Sequence, residues 1–150
     1  QDLGVDIKFW RVDMRPGHPI AFGRKGNKPV FGLPGNPVST MVSFEQFARP
    51  LIRAMAGHTS PYRSVVEAIL REDISSKPGS KHFLRGILSY EEGAYNVCSA
   101  GSQGSGVLLS MSRSNCLIVI PDEGGQFKAG AKVKVQLLGP EKLGSKTHGF

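Results

Sequence analysis

The stretch Gly32-Leu33-Pro34-Gly35-Asn36-Pro37-Val38-Ser39 decides how the rest of the chain is read. The apolar pair Val30-Phe31 leads into it, and a helical pattern leaves it. Gly35 suits a turn in which a side chain would clash, Asn36 is a favoured N-cap, and Pro37 fits the first helical position. The expectation is a strand-to-helix turn with a sharp helix start. The first N–H groups of such a helix, and the positive end of its dipole, suit a phosphate or an oxyanion. Pro34, Gly35, Asn36, Pro37 and Ser39 are therefore candidate binding residues; a well-capped turn without a ligand is the plainer alternative.

Upstream, Ile7, Phe9, Val12 and Met14 form an apolar-rich extended stretch that Pro16-Gly17 ends. Arg11 and Arg15, four residues apart, would share one face of a regular strand and converge on one anion through bidentate guanidinium contacts. Two solvated arginines are the alternative. Residues 19–23 and 29–33 read as two further strands joined by a tight Gly26-Asn27 hairpin. Downstream, Met41, Phe44, Ala48, Leu51 and Met55 recur at the helical period over residues 37–56, with a kink expected at Pro50 and an end at Gly57. Arg53 is expected to face solvent.

After His58-Thr59-Ser60-Pro61 the pattern changes to short strands and turns at 65–69, 82–89, 94–99, 117–120 and 132–138, with one helical insertion at 107–112. Glu91-Glu92 reads as a hairpin turn. The fold class is therefore α/β followed by all-β: residues 1–58 as part of an α/β domain, 59–63 as a linker, 64–140 as a small β-barrel-like domain and 141–150 as a disordered tail.

Composition narrows the function. At 150 residues and 39% hydrophobic, the chain can bury a core, and it has no apolar run approaching the ~20 residues of a membrane span. A cytoplasmic location is the default expectation. Cys98 and Cys116 show neither a disulfide framework nor a CxxC metal site, and His18, His58, His82 and His148 lack metal-ligand spacing. The formal charge of +7 favours anionic partners. The stretch 139–146, GPEKLGSK, superficially resembles a phosphate loop, but it lacks a following helix pattern and is rejected.

GLPGNPVS (32–39), preceded by WRVDMRPGHPIAFG (10–23) and followed by SKPGSKHFLRG (76–86) and GSQGSG (101–106), resembles the molybdopterin molybdenumtransferase family, which includes the enzymatic domain of gephyrin. The resemblance covers roughly residues 7–138. It implies the C-terminal part of a molybdopterin-binding α/β domain followed by a β-barrel-like domain, in an enzyme that inserts molybdate into adenylylated molybdopterin and releases AMP with the help of Mg²⁺. It also implies a homodimer, with the Mg²⁺-binding carboxylates upstream of this chain. The chain opens at Gln1-Asp2 without a methionine and matches only the later part of the family's length, so it is expected to be a C-terminal portion, inactive alone. The family commonly carries lysines at the positions of Arg11 and Arg15. Arg85 in FLRG and Ser105 in GSQGSG match residues that the family places near its active-site cleft, which adds both to the candidate substrate-binding set.

Two readings from other classes stand beside this one. A scaffold or peptide-binding role of the gephyrin type would use the groove beside the β domain. A basic nucleic-acid-binding β domain would fit the charge, but Phe83, Tyr90, Tyr95 and Phe127 show no stacking pattern.

Overall fold

The computed structural model describes residues 3–104 and 106–139. The chain divides into two units between Tyr62 and Arg63. The first opens on a three-stranded antiparallel sheet of β1 (Asp6–Phe9), β3 (Ala21–Lys25) and β4 (Lys28–Gly32), in the order β1-β3-β4; Met14–Arg15 form a short extended segment, β2. Lys25 pairs with Lys28 across Gly26-Asn27, and Gly26 has φ 59°, as a two-residue hairpin with glycine at its first central position requires. Gly23 lets β1 approach closely: a Cβ there would lie 2.6 Å from the Asp6 carbonyl oxygen. Phe9, Phe22 and Phe31 form a row of rings across the sheet, and Phe47 from the helical segment meets Phe9 at 6.3 Å between centroids.

The helical segment differs from its expected form in two respects. It is α1 (Pro37–Ser43), a π-helical turn (Phe44–Ala48) and α2 (Arg49–Met55), rather than one helix kinked at Pro50. Pro50 has no N–H, and in a regular helix its ring crowds the carbonyl four residues earlier; widening the preceding turn, where the Arg49 N–H reaches back to the Phe44 carbonyl, relieves that clash. The expected apolar stripe is also mostly outside. Val38, Val42 and Ala48 are buried, whereas Met41, Phe44 and Met55 are 43%, 38% and 66% exposed. The period was right and the buried face was offset from it. Gly57 ends the segment at φ 83°, its N–H bonded to the Ala54 carbonyl and the His58 N–H to the Arg53 carbonyl, a Schellman arrangement. Arg53 is half-buried, with its guanidinium 3.3 Å from His58 Nδ1, and not solvent-facing as expected.

The second unit is organised by one long strand, β7 (Lys81–Glu91). Its first half pairs with β9 (Cys116–Ile120) and its second half with β8 (Ala94–Ser99); β5 (Val65–Leu70) and β11 (Lys132–Leu137) complete the circuit β7-β8-β5-β11-β9 and back to β7. The result is a closed five-stranded barrel. Gly86 is the residue at which β7 changes partners, facing both Ser99 and Cys116. A Cβ there would meet Cys116 Sγ at 2.8 Å and Ile118 at 2.9 Å, so the exchange needs glycine. Ala68, Leu70, Leu88, Val97, Cys116, Ile118, Ile120, Val133, Val135 and Leu137 fill the interior.

The barrel strands lie close to their expected positions, but β6 (Ile74–Ser76) and β10 (Gly125–Phe127), which pair as a separate ribbon, were not expected. Three residues each leave too little alternation to read. The β7–β8 turn falls on Glu92-Gly93, at φ 52° and 80°, one residue later than expected. The insertion before β9 is the short helix α3 (Leu108–Arg113). The expected tail at 141–150 lies outside the described residues. No helix of the described residues is long and apolar enough to cross a membrane.

Candidate functional site

In the first unit, the 32–39 turn does link β4 to a helix, by a different mechanism from the one its sequence suggests. Asn36 holds the N-cap position with extended backbone (φ −73°, ψ 125°), yet its side chain makes no capping hydrogen bond. Thr40 closes the turn: its N–H and its hydroxyl both donate to the Asn36 carbonyl, at 2.8 and 3.0 Å, and the hydroxyl also lies on the Pro34 carbonyl. Pro37 starts the helix, so the first helical position carries no N–H, and the Val38 and Ser39 amides of the first turn receive no cap from Asn36. Sequence reasoning missed Thr40. Its one available signal was a hydroxyl four residues after the N-cap position.

Gly35 also departs from expectation. It does not adopt the left-handed backbone that favours glycine, and a Cβ built on it meets nothing within 4 Å. Neither backbone strain nor internal packing requires glycine there, in contrast to Gly23 and Gly86. What remains for it to provide is open space at an exposed position of the main chain, which allows close approach by something outside the chain.

Arg11 and Arg15 do not share a strand face. β1 ends at Phe9, its register already irregular between Ile7 and Phe9, so the regular strand needed to align them is absent. Both are exposed. The Arg11 guanidinium lies over the Trp10 ring at 4.3 Å, a cation–π contact that orients it in solvent. The Arg15 end of the segment is drawn onto α1. Gly17, at φ 109°, packs so closely that a Cβ would lie 2.5 Å from Ser43 Oγ, and the Ser43 hydroxyl reaches the Gly17 carbonyl at 3.5 Å. Ser39 is buried on the same side of α1, its carbonyl oxygen 3.5 Å from that built Cβ. His18 ties the loop from within, its Nδ1 2.8 Å from the Val12 carbonyl while the Val12 N–H returns to the His18 carbonyl at 3.2 Å. The structure thus brings the Arg15-Pro16-Gly17 turn to the helix that the 32–39 turn begins, and leaves Arg11 apart from that packing.

In the second unit, Arg85 and the Gly101–Gly104 loop are in direct contact. Arg85 is fully buried, and its Nε donates to Ser110 Oγ at 3.2 Å while one terminal nitrogen donates to the Ser102 and Gly104 carbonyls at 3.1 Å each. Burial pulls its pKa below the ordinary guanidinium range, but a guanidinium stays charged at neutral pH. A buried cation is costly unless its donors are paired, and here main-chain dipoles and one hydroxyl pair with Nε and one terminal nitrogen. The loop therefore turns carbonyls, not amides, toward Arg85. Gln103 completes the arrangement by accepting the Arg85 N–H on Oε1 at 2.9 Å and donating from Nε2 to the Arg85 carbonyl at 3.0 Å. Sequence reasoning passed over Gln103, the one long amide in a Gly/Ser loop, and Ser110. Ser105 lies outside the described residues.

Residues 2–54 match a probable molybdopterin binding domain, and residues 67–138 match the MoeA C-terminal region (domain IV). The chain thus joins molybdopterin-binding-type α/β structure to a MoeA-type β-barrel. It is 38% identical over 129 residues to molybdopterin molybdenumtransferase 2 of Mycobacterium tuberculosis, covering 86% of this chain and 31% of the relative. It is 37% identical over 135 residues to the molybdopterin molybdenumtransferase of Haemophilus influenzae, covering 87% and 33%. A molybdenum cofactor biosynthesis protein from Pyrococcus furiosus superposes with a TM-score of 0.72 at 30% identity, over 89% of this chain and 46% of that one. The chain belongs to the molybdopterin molybdenumtransferase family. It spans about a third of the length of these curated relatives.

Proposed function

We propose that the whole protein inserts molybdate at the dithiolene sulfurs of adenylylated molybdopterin and releases AMP. The observation that carries this reading is the open space at the exposed Gly35, in a turn ahead of helix N–H groups that the Asn36 side chain does not cap, in a domain matched to molybdopterin binding. The ligand's phosphate and molybdate are anions that cost much to desolvate without matched donors. The proposed contacts from the first unit are main-chain and side-chain groups of Pro34, Gly35, Asn36, Pro37 and Ser39, with Arg11 and Arg15 supplying positive charge. Arg85 and Ser105 are the proposed contributors from the second unit. The proposed domain limits are 1–58 and 64–140, joined by 59–63.

The described residues bring no three His, Cys, Asp or Glu side chains together, so they do not fit a Mg²⁺ site. A homodimer and a cytoplasmic location are proposed on the family resemblance. Neither the scaffold nor the nucleic-acid reading gains support from the relatives, which carry the transferase name.

The test is to supply purified whole protein with adenylylated molybdopterin and molybdate, and to follow AMP together with the molybdenum-loaded pterin. Both products should appear in equal amounts and depend on molybdate. Folded protein that releases no AMP and loads no molybdenum would refute the reading.

A further inference from the structure

β8 ends at Ser99, so beyond it β7 loses its neighbour on one side. At that point the Arg85 carbonyl still accepts the Ala100 N–H at 2.9 Å, but the strand offers no carbonyl for the Arg85 N–H. The Gln103 side chain takes over the ladder: Oε1 accepts the Arg85 N–H, and Nε2 donates to the Arg85 carbonyl. The same Nε2 lies within 2.8 Å of Ser99 Oγ and 2.9 Å of the Gly101 carbonyl. One amide thus joins the loop's start, its middle and the strand beneath it.

Arg85 acts on the same loop from below, holding the Ser102 and Gly104 carbonyls. A trans peptide places C=O and N–H on opposite sides, so a Ser102 carbonyl turned inward turns the Gln103 N–H outward. Gly101, Ser102 and Gly104 are exposed, leaving little apolar burial to fix the loop. Its shape rests on polar contacts: those with Arg85 and Gln103, the Ser99 hydroxyl on the Gly101 N–H and carbonyl, and the Val107 N–H on the Gly104 carbonyl.

We infer that Gln103 is a positioning residue: bonded to the main chain of Arg85, it sets the peptide planes of the Gly101–Gly104 loop so that main-chain N–H groups, its own among them, face an anionic ligand, while its side-chain amide is taken up by Arg85, Ser99 and Gly101. The inference rests on the proposed reaction, of which the loop would hold the phosphate or oxyanion part.

The experiment compares wild-type whole protein with Gln103→Glu and Gln103→Ala. Glu keeps the shape of Gln but, ionised, has no donor for the Arg85 carbonyl. Both variants should raise KM for the pterin substrate at least tenfold, with kcat within about threefold and the Gln103→Glu melting temperature within a few degrees of wild type. If Gln103→Ala fails to fold, Gln103→Glu decides. A Gln103→Glu protein with wild-type KM, whether kcat is unchanged or falls with the folded fraction, overturns the inference. Calorimetric titration with inorganic phosphate and with molybdate separates this inference from the reaction it rests on. Wild-type protein that fails to insert molybdenum, yet binds either anion at least tenfold more tightly than Gln103→Glu, would refute the reaction and keep the loop assignment. Equal binding of both anions by the two proteins would refute the loop assignment.

Discussion

Two short, glycine-bearing connections in this chain gain their shapes by opposite means. The 32–39 turn is set locally: Pro37 starts the helix, and Thr40 ties the Pro34 and Asn36 carbonyls within a few residues. The 101–104 loop has local ties through Ser99 and Gln103, but it is also held from a distance, by a buried Arg85 some seventeen residues earlier in sequence that Ser110 helps to fix. The first can be altered residue by residue. The second depends on a buried charge bonded to the loop's own carbonyls and to Ser110, so changes there should propagate into the barrel wall.

The largest effect should follow removal of that charge. Arg85→Ala leaves the Ser102 and Gly104 carbonyls and Ser110 Oγ without their donor and opens a cavity; the expected cost is at least about 3 kcal/mol of unfolding free energy, measured by urea denaturation. A loss under about 1 kcal/mol would mean that the loop holds itself, erasing the contrast with the 32–39 turn.

A smaller effect should come from the strand next to Arg85. Burial and the nearby Cys98 push the Cys116 thiol from its ordinary 9.0 up to about 12. A raised folded-state value for a group that is neutral when protonated means that its stability is fully present below pH 9 and is lost as pH rises toward 12. Near pH 10 the loss should be about 1 kcal/mol and absent in Cys116→Ala, measured as the pH dependence of the denaturation midpoint. An identical slope in the variant would contradict the buried-thiol assignment.

Thr40→Val should cost about 1 kcal/mol, the ordinary worth of hydrogen bonds lost at a half-buried site, with the barrel unaffected in its own hydrogen-exchange protection. Slowing or speeding of barrel exchange in this variant would show that the turn is not set locally.

The same contrast explains what could be read from sequence. Strands, the hairpin at Gly26-Asn27 and the helix stop at Gly57 are coded by near neighbours, through alternation, a glycine at a required φ and a change of period. The closure of the barrel through β7, and the need for glycine at residue 86, are products of strand pairing between distant residues. So is the partnership of Arg85 with Gln103: nothing within a few positions of either residue announces it. The family motifs marked Arg85 and the Gly/Ser loop, but the direction of the contact, carbonyls toward the cation, needed the fold. The helix showed a subtler failure, because its period was legible while the π-helical turn before Pro50 shifted which apolar side chains lie inside. At Gly35 the sequence suggests a turn that excludes a side chain, whereas its backbone and its surroundings would accept one.

That residue offers the most direct test of the central claim, that the 32–39 turn faces a ligand. Gly35→Ala in the whole protein should leave the melting temperature within about a degree of wild type, because the added methyl group meets open space and needs no unusual backbone angle. Titration of the same protein with molybdopterin should show binding weakened at least tenfold, because the methyl group occupies the space a ligand would use. Wild-type affinity in a protein of unchanged stability would contradict the account, leaving the turn as a strand-to-helix connection and nothing more.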